Sequence, residues 1–512
     1  MSRSRAVCSA TVALLLLVGT VAPADDAGFL QAKDPWFVAG QEALARAQKL
    51  TPMRGHAKNI ILFIGDGMST TTVTAARIFE GQSRGEPGEE NLLSFERMPF
   101  LALAKTYNTN LQVPDSAGTA TAMLSGVKTK AGVLGVASGV VERDCRSASG
   151  HHVTSVVELA ERIGMSTGVV STAAITHATP AAAYAHTPSR GWQVDSSIPE
   201  EEREAGCIDI ARQLLEFPGG DGLDVVLGGG RRDFLPEGVD DPEEEDQQGR
   251  RQDGRDLTRE WLSRPDARYV WNLEQFEAVN PAQTGPLLGL FQPNHLQFEF
   301  NRLDDKAGEP SLSRMTRMAL DILERNPRGY FLLVEGGRID HAHHGGNAYR
   351  ALVDTVEFAR AVQVALDRTD AQDTLVIVTA DHSHVLTFAG YPARGNPILG
   401  VVRSVDGHGL PVEDPELAVD GLPYTTLSYA NGPGYRNKKR RKAVRGEDTT
   451  DPDYRQHAGI HLNSETHGGD DVPVYARGPG AQLIRGVMEQ NYIFHVMDAA
   501  GRLRERAAAA AN

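Results

Sequence analysis

Six carboxylate and imidazole side chains of this sequence stand in short motifs, most of which follow an apolar run. Asp340 and His344 are four residues apart, the spacing that puts two side chains on one face of a helix. Oxygen and nitrogen donors without thiolates favour Zn²⁺, and a harder cation is favoured where only oxygens meet. A single histidine of this kind could instead cap a helix or form a hydrogen bond within the core. The six residues are Asp66, Asp340, His344, Asp381, His382 and His467.

Ser116, in the segment VPDSAGTATAM, is the candidate nucleophile. Asp115 is a favoured N-cap residue, so we expect Ser116 in the first turn of a helix, where backbone N–H groups and the helix dipole bind anions. No base is evident beside it, and a metal ion would take that part by stabilising the alkoxide. The alternative is that Ser116 merely begins the helix. Arg190 is the type of side chain that captures phosphate oxygens in a bidentate manner.

Five apolar runs, separated by helical stretches, are expected to position these groups. Continuous apolar strands that alternate with helices are typical of a doubly wound α/β fold with a mostly parallel central sheet and helices on both faces. Ligands in such folds bind at the carboxyl ends of the strands. Because the candidate groups follow predicted strands, a shared metal site is favoured over separate capping histidines. The runs are Ile60–Ile64, Thr167–Ser171, Asp224–Leu227, Phe331–Val334 and Thr374–Thr379.

The composition is that of a large globular protein. The chain has 512 residues and a net charge of −15, from 52 Lys+Arg against 67 Asp+Glu. This length suits about two to four domains, or one large α/β unit with insertions. The composition excludes collagen-like, coiled-coil and wholly disordered proteins. The acidic balance also argues against a nucleic-acid-binding surface, which needs basic residues to neutralise phosphates.

Residues 1–24 have the pattern of an export signal peptide. Arg3 and Arg5 precede the short apolar run VALLLLV, and Ala22-Pro23-Ala24 forms a cleavage motif. The run is shorter than the ~20 residues that cross a bilayer. The C-terminal sequence lacks the hydrophobic tail of a lipid-anchor signal. We therefore expect an exported protein, periplasmic or extracellular, without a transmembrane anchor.

Cleavage of this segment also changes the number of cysteines. It removes Cys8 and leaves Cys145 and Cys207, an even pair in a compartment where disulfides persist. We predict a Cys145–Cys207 disulfide, and the alternative is two buried thiols.

Two segments interrupt the alternation of strands and helices. Residues 236–254 are acidic and of low complexity, and we expect a surface loop there. Residues 394–460 form a long Gly/Pro-rich stretch that contains the basic run Lys438–Lys442. That run is interpreted as part of a solvated loop, with a contact to anionic lipid or polysaccharide as the alternative.

Taken together, these motifs resemble those of the alkaline phosphatases. They occur in family order over nearly the whole chain beyond the signal segment, and residues 268–272 and 431–435 look closest to the animal-type branch. The resemblance implies one α/β domain over residues 25–512. It also implies broad-specificity hydrolysis of phosphate monoesters to an alcohol and inorganic phosphate. The shared stretches are Asp66–Met68, Pro114–Thr121, His177–Ala181, Glu335–His341, Thr379–His384 and His467–Val472.

The resemblance also implies roles for single residues. Ser116 would be the phosphorylated nucleophile and Arg190 the phosphate clamp, with two in-line displacements through a phosphoserine. Two zinc ions and one magnesium ion would be bound, and Asp66 would be shared between the second zinc and the magnesium. His177 would stand beside the magnesium. The implied ligand sets are Asp340, His344 and His467 for one zinc; Asp66, Asp381 and His382 for the other; and Asp66, Thr179 and Glu335 for magnesium.

The animal-type branch further implies a calcium site and a homodimer. Glu243, the carbonyl of Phe291 and Glu309 look like the calcium ligands, but Gln292 replaces an acidic one. Losing a charge should weaken a site for a hard cation, so occupied and empty sites both remain open. Residues 394–460 would be the crown-like insertion, which lies at the dimer interface in that branch.

Two other functions compete with this interpretation. A sulfatase or phosphodiesterase of the same fold group is the nearer one, but sulfatases place a convertible residue in a C/S-x-P-S-R setting, whereas Ser116 precedes Ala117-Gly118-Thr119. The other is a non-catalytic exported protein that binds phosphate or metal. A complete ligand set together with a nucleophile argues against it.

Overall fold

The computed structural model of the protein describes residues 33–437, 441 and 446–510. The predicted signal peptide, residues 1–24, and all of the basic run 438–442 except Arg441 lie outside this range. The chain divides into two compact units, with the division after Thr51. The described part of the first unit contains one helix, α1 (Pro35–Gln48), which follows the N-cap residue Asp34.

The strands of the second unit include four of the five predicted apolar runs in full and the fifth, Asp224–Leu227, from Val225 onward. Ten strands form one sheet in the order β15-β2-β14-β8-β1-β7-β3-β4-β6-β5, where the labels follow chain order. Every pairing in this sheet is parallel except those of β14, which runs antiparallel to both β2 and β8. The strands are β1 (Asn59–Gly65), β2 (Phe100–Lys105), β3 (Ser166–Ala174), β4 (Val225–Gly229), β5 (Arg268–Val270), β6 (Leu287–Leu290), β7 (Tyr330–Gly336), β8 (Thr374–Ala380), β9 (Ser383–His384), β10 (Leu386–Phe388), β11 (Leu427–Gly432), β12 (Ala458–His461), β13 (His467–Gly468), β14 (Val472–Arg477) and β15 (Gly486–Glu489).

Helices cover both faces of the sheet. The helices of the second unit are α2 (Thr70–Ser83), α3 (Ser116–Ser125), α4 (Cys145–Ala148), α5 (Val156–Arg162), α6 (Ala178–Ala181), α7 (Glu200–Glu204), α8 (Ile210–Leu215), α9 (Leu257–Trp261), α10 (Leu273–Glu277), α11 (Leu312–Leu323), α12 (Arg338–His344), α13 (Ala348–Arg368), α14 (Tyr492–Gly501) and α15 (Leu503–Ala510). Helix α13 packs with α2, α11 and α12, whereas α5 packs with α3, α14 and α15. The predicted doubly wound α/β fold is confirmed. None of the helices in the described part of the chain combines the length and apolarity that a bilayer crossing requires.

The core lies along the central strands of the sheet. Every residue of β1, β7 and β8 is buried, as the continuous apolar runs predict for strands covered on both faces. Burying a large aliphatic or aromatic side chain contributes about 1.5–3 kcal/mol. These strands therefore form a rigid platform for the residues that follow them.

The acidic segment 236–254 is mostly exposed, as predicted, but buried ion pairs fix it. Nη2 of the buried Arg231 lies 2.6 Å from Oδ1 of Asp241. Nη1 of Arg251, which is also buried, lies 2.8 Å from Oδ1 of Asp209. The description as a low-complexity surface loop was therefore incomplete, because two of its charged residues anchor it to the body of the unit.

Residues 394–460 contain β11 and most of β12. Together with β10 these strands form a three-stranded sheet separate from the large one, in which β11 pairs antiparallel with β10 and parallel with β12. The segment thus has its own secondary structure.

The predicted disulfide is present. Cys145, the first residue of α4, is bonded to Cys207 with a Cα–Cα distance of 5.7 Å. The bridge joins residues 62 apart in the sequence, and a loop of that size gives a substantial loss of entropy in the unfolded chain.

Candidate active site

The carboxyl ends of four neighbouring strands, β8, β1, β7 and β3, bring the predicted site residues together. Asp66 follows β1 and Asp381 follows β8, and Gly65 pairs with Ala380 in the register of these strands. Glu335 is the penultimate residue of β7, which pairs with the other side of β1. The carboxylates of all three acidic residues are buried at this edge, where parallel sheets bind ligands.

Asp66, Asp381 and His382 form a group whose donor atoms lie within 4.8 Å of one another. Nε2 of His382 is 3.3 Å from Oδ1 of Asp66 and 3.3 Å from Oδ2 of Asp381. The same nitrogen is 3.1 Å from Oγ of Ser116. The three residues predicted to bind one zinc ion therefore surround a single point beside the predicted nucleophile.

Asp340, His344 and His467 form a second group, together with His384. Oδ1 of Asp340 is 3.3 Å from Nε2 of His344 and 3.5 Å from Nε2 of His467, and the two nitrogens are 3.2 Å apart. Helix α12 begins at Arg338 and has Asp340 in its first turn. Asp340 and His344 therefore lie on the same face of this helix, as their spacing predicts.

His384 had no predicted role, but its position between Asp340 and Glu465 indicates one. Its Nε2 is 2.7 Å from Oδ1 of Asp340 and its Nδ1 is 2.5 Å from Oε2 of Glu465. Burial opposes the charged imidazolium, but the hydrogen bonds to the two carboxylates raise the pKa of His384 to about 10. Gly67 leaves room for this ring, since a Cβ there would lie 2.2 Å from Cδ2 of His384. His384 thus orients Asp340; its place two residues after His382 was the signal in the sequence.

A third group consists of Asp66, His177 and Glu335. The Ser171 hydroxyl donates a short hydrogen bond to Oε2 of Glu335. Burial raises the pKa of Glu335 to about 8, although the hydrogen bond from Ser171 acts in the opposite direction. The predicted magnesium ligands are therefore adjacent, and His177 approaches them closely enough to belong to the same group.

The chemistry of these donor sets fits bound metal ions. Buried polar atoms in proteins are nearly always paired, yet several donor atoms at the strand ends are buried without a hydrogen-bond partner in the described structure. Burial and the charge of Asp381 raise the pKa of Asp66, an effect that a cation would reverse. The unpaired atoms are Oδ1 and Oδ2 of Asp66, Oδ2 of Asp381, Oε1 of Glu335, Nδ1 of His177 and Oγ1 of Thr179.

Ser116 lies at the start of α3, as predicted. Asp115 is the N-cap and accepts a hydrogen bond from the backbone N–H of Ala117 at 3.1 Å. The guanidinium of Arg190 forms a short ion pair with Asp115, and its Nη2 is 2.9 Å from Nε2 of His177. Arg190 is thereby held near the helix N-terminus, where the dipole and backbone N–H groups favour an anion.

His295 is a further residue that the sequence analysis did not single out. Its ring lies 4.2 Å from that of His341 and 5.3 Å from that of His177, measured between centroids. Nδ1 of His295 accepts a hydrogen bond from the backbone N–H of Ala174 at 3.0 Å. Burial, followed by the nearby His341 and Arg338, lowers the pKa of His295 to about 2. A neutral imidazole therefore packs against His341 and His177. None of the motifs in the sequence predicted this contact.

The predicted calcium ligands lie elsewhere, between β6 and α11 and in the acidic segment. Phe291 directly follows β6 and Glu309 precedes α11. With Glu243 they are not among the groups of described residues whose donor atoms all lie within 4.8 Å. Nε2 of Gln292 donates to Oδ1 of Asp305 at 2.5 Å. Asp305 had not been singled out from the sequence.

Comparison with known proteins agrees with this geometry. The family model described as alkaline phosphatase matches residues 57–503. The tissue-nonspecific alkaline phosphatase of Gallus gallus is 47% identical over 477 residues, which cover 91% of this chain and 89% of that protein. An alkaline phosphatase of Gadus morhua is 46% identical over 471 residues, covering 90% and 95%. The structure of Thermus thermophilus alkaline phosphatase aligns with a TM-score of 0.63 and 25% identity, covering 91% and 97%. The chain belongs to the alkaline phosphatase family.

Proposed function

We propose that this alkaline phosphatase hydrolyses phosphate monoesters with broad specificity through a phosphoserine at Ser116. One observation carries the proposal: Oγ of Ser116 lies 3.1 Å from Nε2 of His382, at the N-terminus of α3 and beside buried, unpaired carboxylate oxygens. A hydroxyl in this position faces an anion-binding helix end on one side and a cation-binding cluster on the other. That combination suits attack on a phosphate dianion.

The metal assignment extends the proposal. Asp66, Asp381 and His382 would hold one zinc ion and Asp340, His344 and His467 the other. Asp66, Thr179 and Glu335 would hold magnesium, with His177 beside it. When bound, the zinc ions supply Lewis-acid stabilisation of negative charge on the attacking and leaving oxygens. The mixed nitrogen and oxygen donors of the first two sets favour zinc, and the oxygen donors of the third favour magnesium.

Ser116 performs the first displacement. Its Oγ loses the hydroxyl proton and forms a bond to phosphorus as the bond between phosphorus and the ester oxygen breaks, and the leaving ester oxygen takes up a proton to give the alcohol. In the second displacement a water oxygen gives up a proton and attacks the phosphoserine, the Oγ–phosphorus bond breaks, Oγ regains a proton, and inorganic phosphate is released. Both steps proceed in line, so the entering and leaving oxygens occupy opposite sides of the phosphoryl group.

Arg190 binds the remaining phosphoryl oxygens. Asp115 holds its guanidinium from one side and His177 from the other, which reduces the entropy lost when phosphate binds. Burial opposes ionisation of Asp115, but the charge of Arg190 and hydrogen bonds from Gly132, Arg190 and Ala117 lower its pKa. Because these groups contact the phosphoryl group and not the alcohol, broad specificity follows.

Replacement of Ser116 by Ala tests the assignment. The Ser116→Ala variant should form no phosphoenzyme and should lose p-nitrophenyl phosphate turnover by at least about 10³-fold, since the nucleophile is gone. Ser125→Ala, at the other end of α3, is the matched control and should keep both. Full turnover in Ser116→Ala would refute the role of Ser116. Rates on a diester and a sulfate ester, measured with the same preparations, test the monoester preference.

Further parts of the proposal concern assembly, export and calcium. Residues 1–24 act as a signal peptide, and the mature domain, residues 25–512, is exported to the periplasm or the extracellular space. The protein forms a homodimer through its crown-like insertion, residues 394–460. A calcium ion binds at Glu243, Glu309 and the carbonyl of Phe291. The family resemblance supports these assignments, and N-terminal sequencing, light scattering and metal analysis of the secreted protein test them.

A further inference from the structure

Glu243, Gln292, Asp305 and Glu309 form a group that we name the Asp305 cluster. Gln292 follows β6, Asp305 follows a short 3₁₀ turn at Arg302–Asp304, and Glu309 lies just before α11. The Gln292 amide donates to Oδ1 of Asp305 at 2.5 Å. Oε1 of Glu243 accepts a hydrogen bond at 3.0 Å from the backbone N–H of Ala307. Separate segments therefore bring three carboxyl groups and one amide into one region, although the three carboxyl groups are not among the groups of described residues whose donor atoms all lie within 4.8 Å of one another.

Two oxygens of this cluster lack partners. Oδ2 of Asp305 and Oε2 of Glu309 are buried without a hydrogen bond in the described structure, and Glu309 is only 1% exposed. The carboxyl groups of Glu243 and Asp305, and those of Asp305 and Glu309, are close enough for their charges to interact. A buried carboxylate oxygen without a partner destabilises the folded state, because it has lost its hydrogen bonds to water. These atoms therefore require a proton or a cation.

Arg231 and Arg302 lie near this cluster, and each makes its shortest contacts with an acid other than Asp305 or Glu309. Nη2 of Arg231 is 2.6 Å from Asp241 and reaches Glu243 only at 3.3 Å. Arg302 forms hydrogen bonds of 2.8 and 3.0 Å with Glu299. The unpaired oxygens of Asp305 and Glu309 are thus not matched by these guanidinium groups, whereas carboxylate oxygens of this kind are the ligands that Ca²⁺ prefers.

We propose that Asp305 supplies the calcium carboxylate that is missing at Gln292. The inference rests on the calcium part of the proposed function and adds a ligand to it. Glu243, Asp305, Glu309 and the carbonyl of Phe291 form the oxygen donor set. Asp305 thus supplies the carboxylate that the site lacks because residue 292 is glutamine. The Gln292 amide is not an acidic ligand; it holds Asp305 in place by donating a hydrogen bond from Nε2 to Oδ1 of Asp305.

Calcium binding to the zinc- and magnesium-loaded enzyme tests this inference. Equilibrium dialysis with radioactive Ca²⁺ should show one ion per chain in this cluster for the unmodified protein. Asp305→Asn should weaken its affinity by at least about tenfold, because the charge of the ligand set controls calcium affinity. Asp304→Asn removes an exposed neighbouring carboxylate and is the matched control. It should bind calcium as the unmodified protein does.

Adding a carboxylate at position 292 gives the reciprocal test. Gln292→Glu in the Asp305→Asn background should restore affinity to within about threefold, and Gln292→Glu alone should tighten binding. Thermal unfolding without calcium checks folding, and Asp305→Asn should then be no less stable, because one negative charge is removed from a group of neighbouring carboxylates.

The outcomes separate the two proposals. Unaltered calcium affinity in Asp305→Asn, or no rescue by Gln292→Glu, would overturn the role of Asp305 alone. No calcium binding by the unmodified protein would overturn the calcium site as a whole. Neither result bears on Ser116, whose role is read out by the phosphoenzyme.

Discussion

The active-site carboxylates and the Asp305 cluster are two buried acidic groups that differ in what positions them. Asp66, Glu335 and Asp381 end or follow central strands and are joined by histidines. Asp305 and Glu309 lie in loops and have an amide in place of imidazoles. Both groups contain buried oxygens that a cation would satisfy. In the proposed assignment, the donor type distinguishes the metals of the two groups, and proximity to Ser116 distinguishes the group that takes part in the reaction.

Removal of zinc and magnesium should have the largest effect. Exhaustive dialysis against a chelator should abolish turnover and lower the unfolding temperature, because the buried carboxylates lose their cations and bound metal stabilises the folded state by mass action. Turnover and unfolding of one preparation, with metal content from elemental analysis, measure both effects. Zinc with magnesium should restore activity and calcium alone should not. Full turnover in metal-free protein, or restoration by calcium, would remove the distinction between the two groups.

Replacement of His384 should have the next largest effect. His384→Ala deletes the hydrogen-bond partner of Asp340, and loss of such a partner typically lowers metal affinity by about 10–100-fold. Zinc titration of the stripped variant, followed by turnover, measures this loss, and excess zinc should recover activity. His343→Ala is the matched control, since His343 is equally buried but bonds to Thr72 and Tyr429. Equal zinc affinities in the two variants would contradict the role of His384.

Most of the fold and the strand-end ligands could be predicted from the sequence. The five apolar runs became strands because each buries both faces, and parallel strands place the residues that follow them at one edge. The location of Asp66 and Asp381 at this edge was therefore predictable from the strands that they follow. The pairing of Cys145 with Cys207 followed from the count of cysteines once the signal segment was excluded.

The remaining interactions could not be predicted because they depend on how separate loops pack. His384 stands in the same motif as His382, but only the tertiary structure places it against Asp340 and Glu465. Asp305 is separated from Gln292 by a segment without a periodic pattern, so no local signal joined them. The buried charges in residues 236–254 were missed for a related reason, because composition does not reveal which acid meets a buried arginine.

Replacement of Glu335 should have a smaller effect than that of His384. Glu335→Gln removes one charge from the proposed magnesium ligands, so we expect turnover to fall by about tenfold while both zinc ions stay bound. Elemental analysis beside a p-nitrophenyl phosphate assay measures the two quantities. Ser171→Ala is a useful companion, since it deletes only the hydrogen bond to Glu335 and should reduce turnover less. Loss of zinc from Glu335→Gln would show that the third group is not separate from the first.

Calcium should have the smallest effect on catalysis and a clear effect on stability. None of the hydrogen bonds of the Asp305 cluster within the described residues reaches Ser116 or Arg190. Calcium added to the zinc- and magnesium-loaded enzyme should therefore change turnover by less than about twofold. At 100 times its dissociation constant it should raise the free energy of unfolding by about 2.7 kcal/mol. Denaturant titration and initial rates on one preparation measure both. A large rise in turnover without stabilisation would mean that the ion binds at the strand ends, because the donor groups there adjoin Ser116.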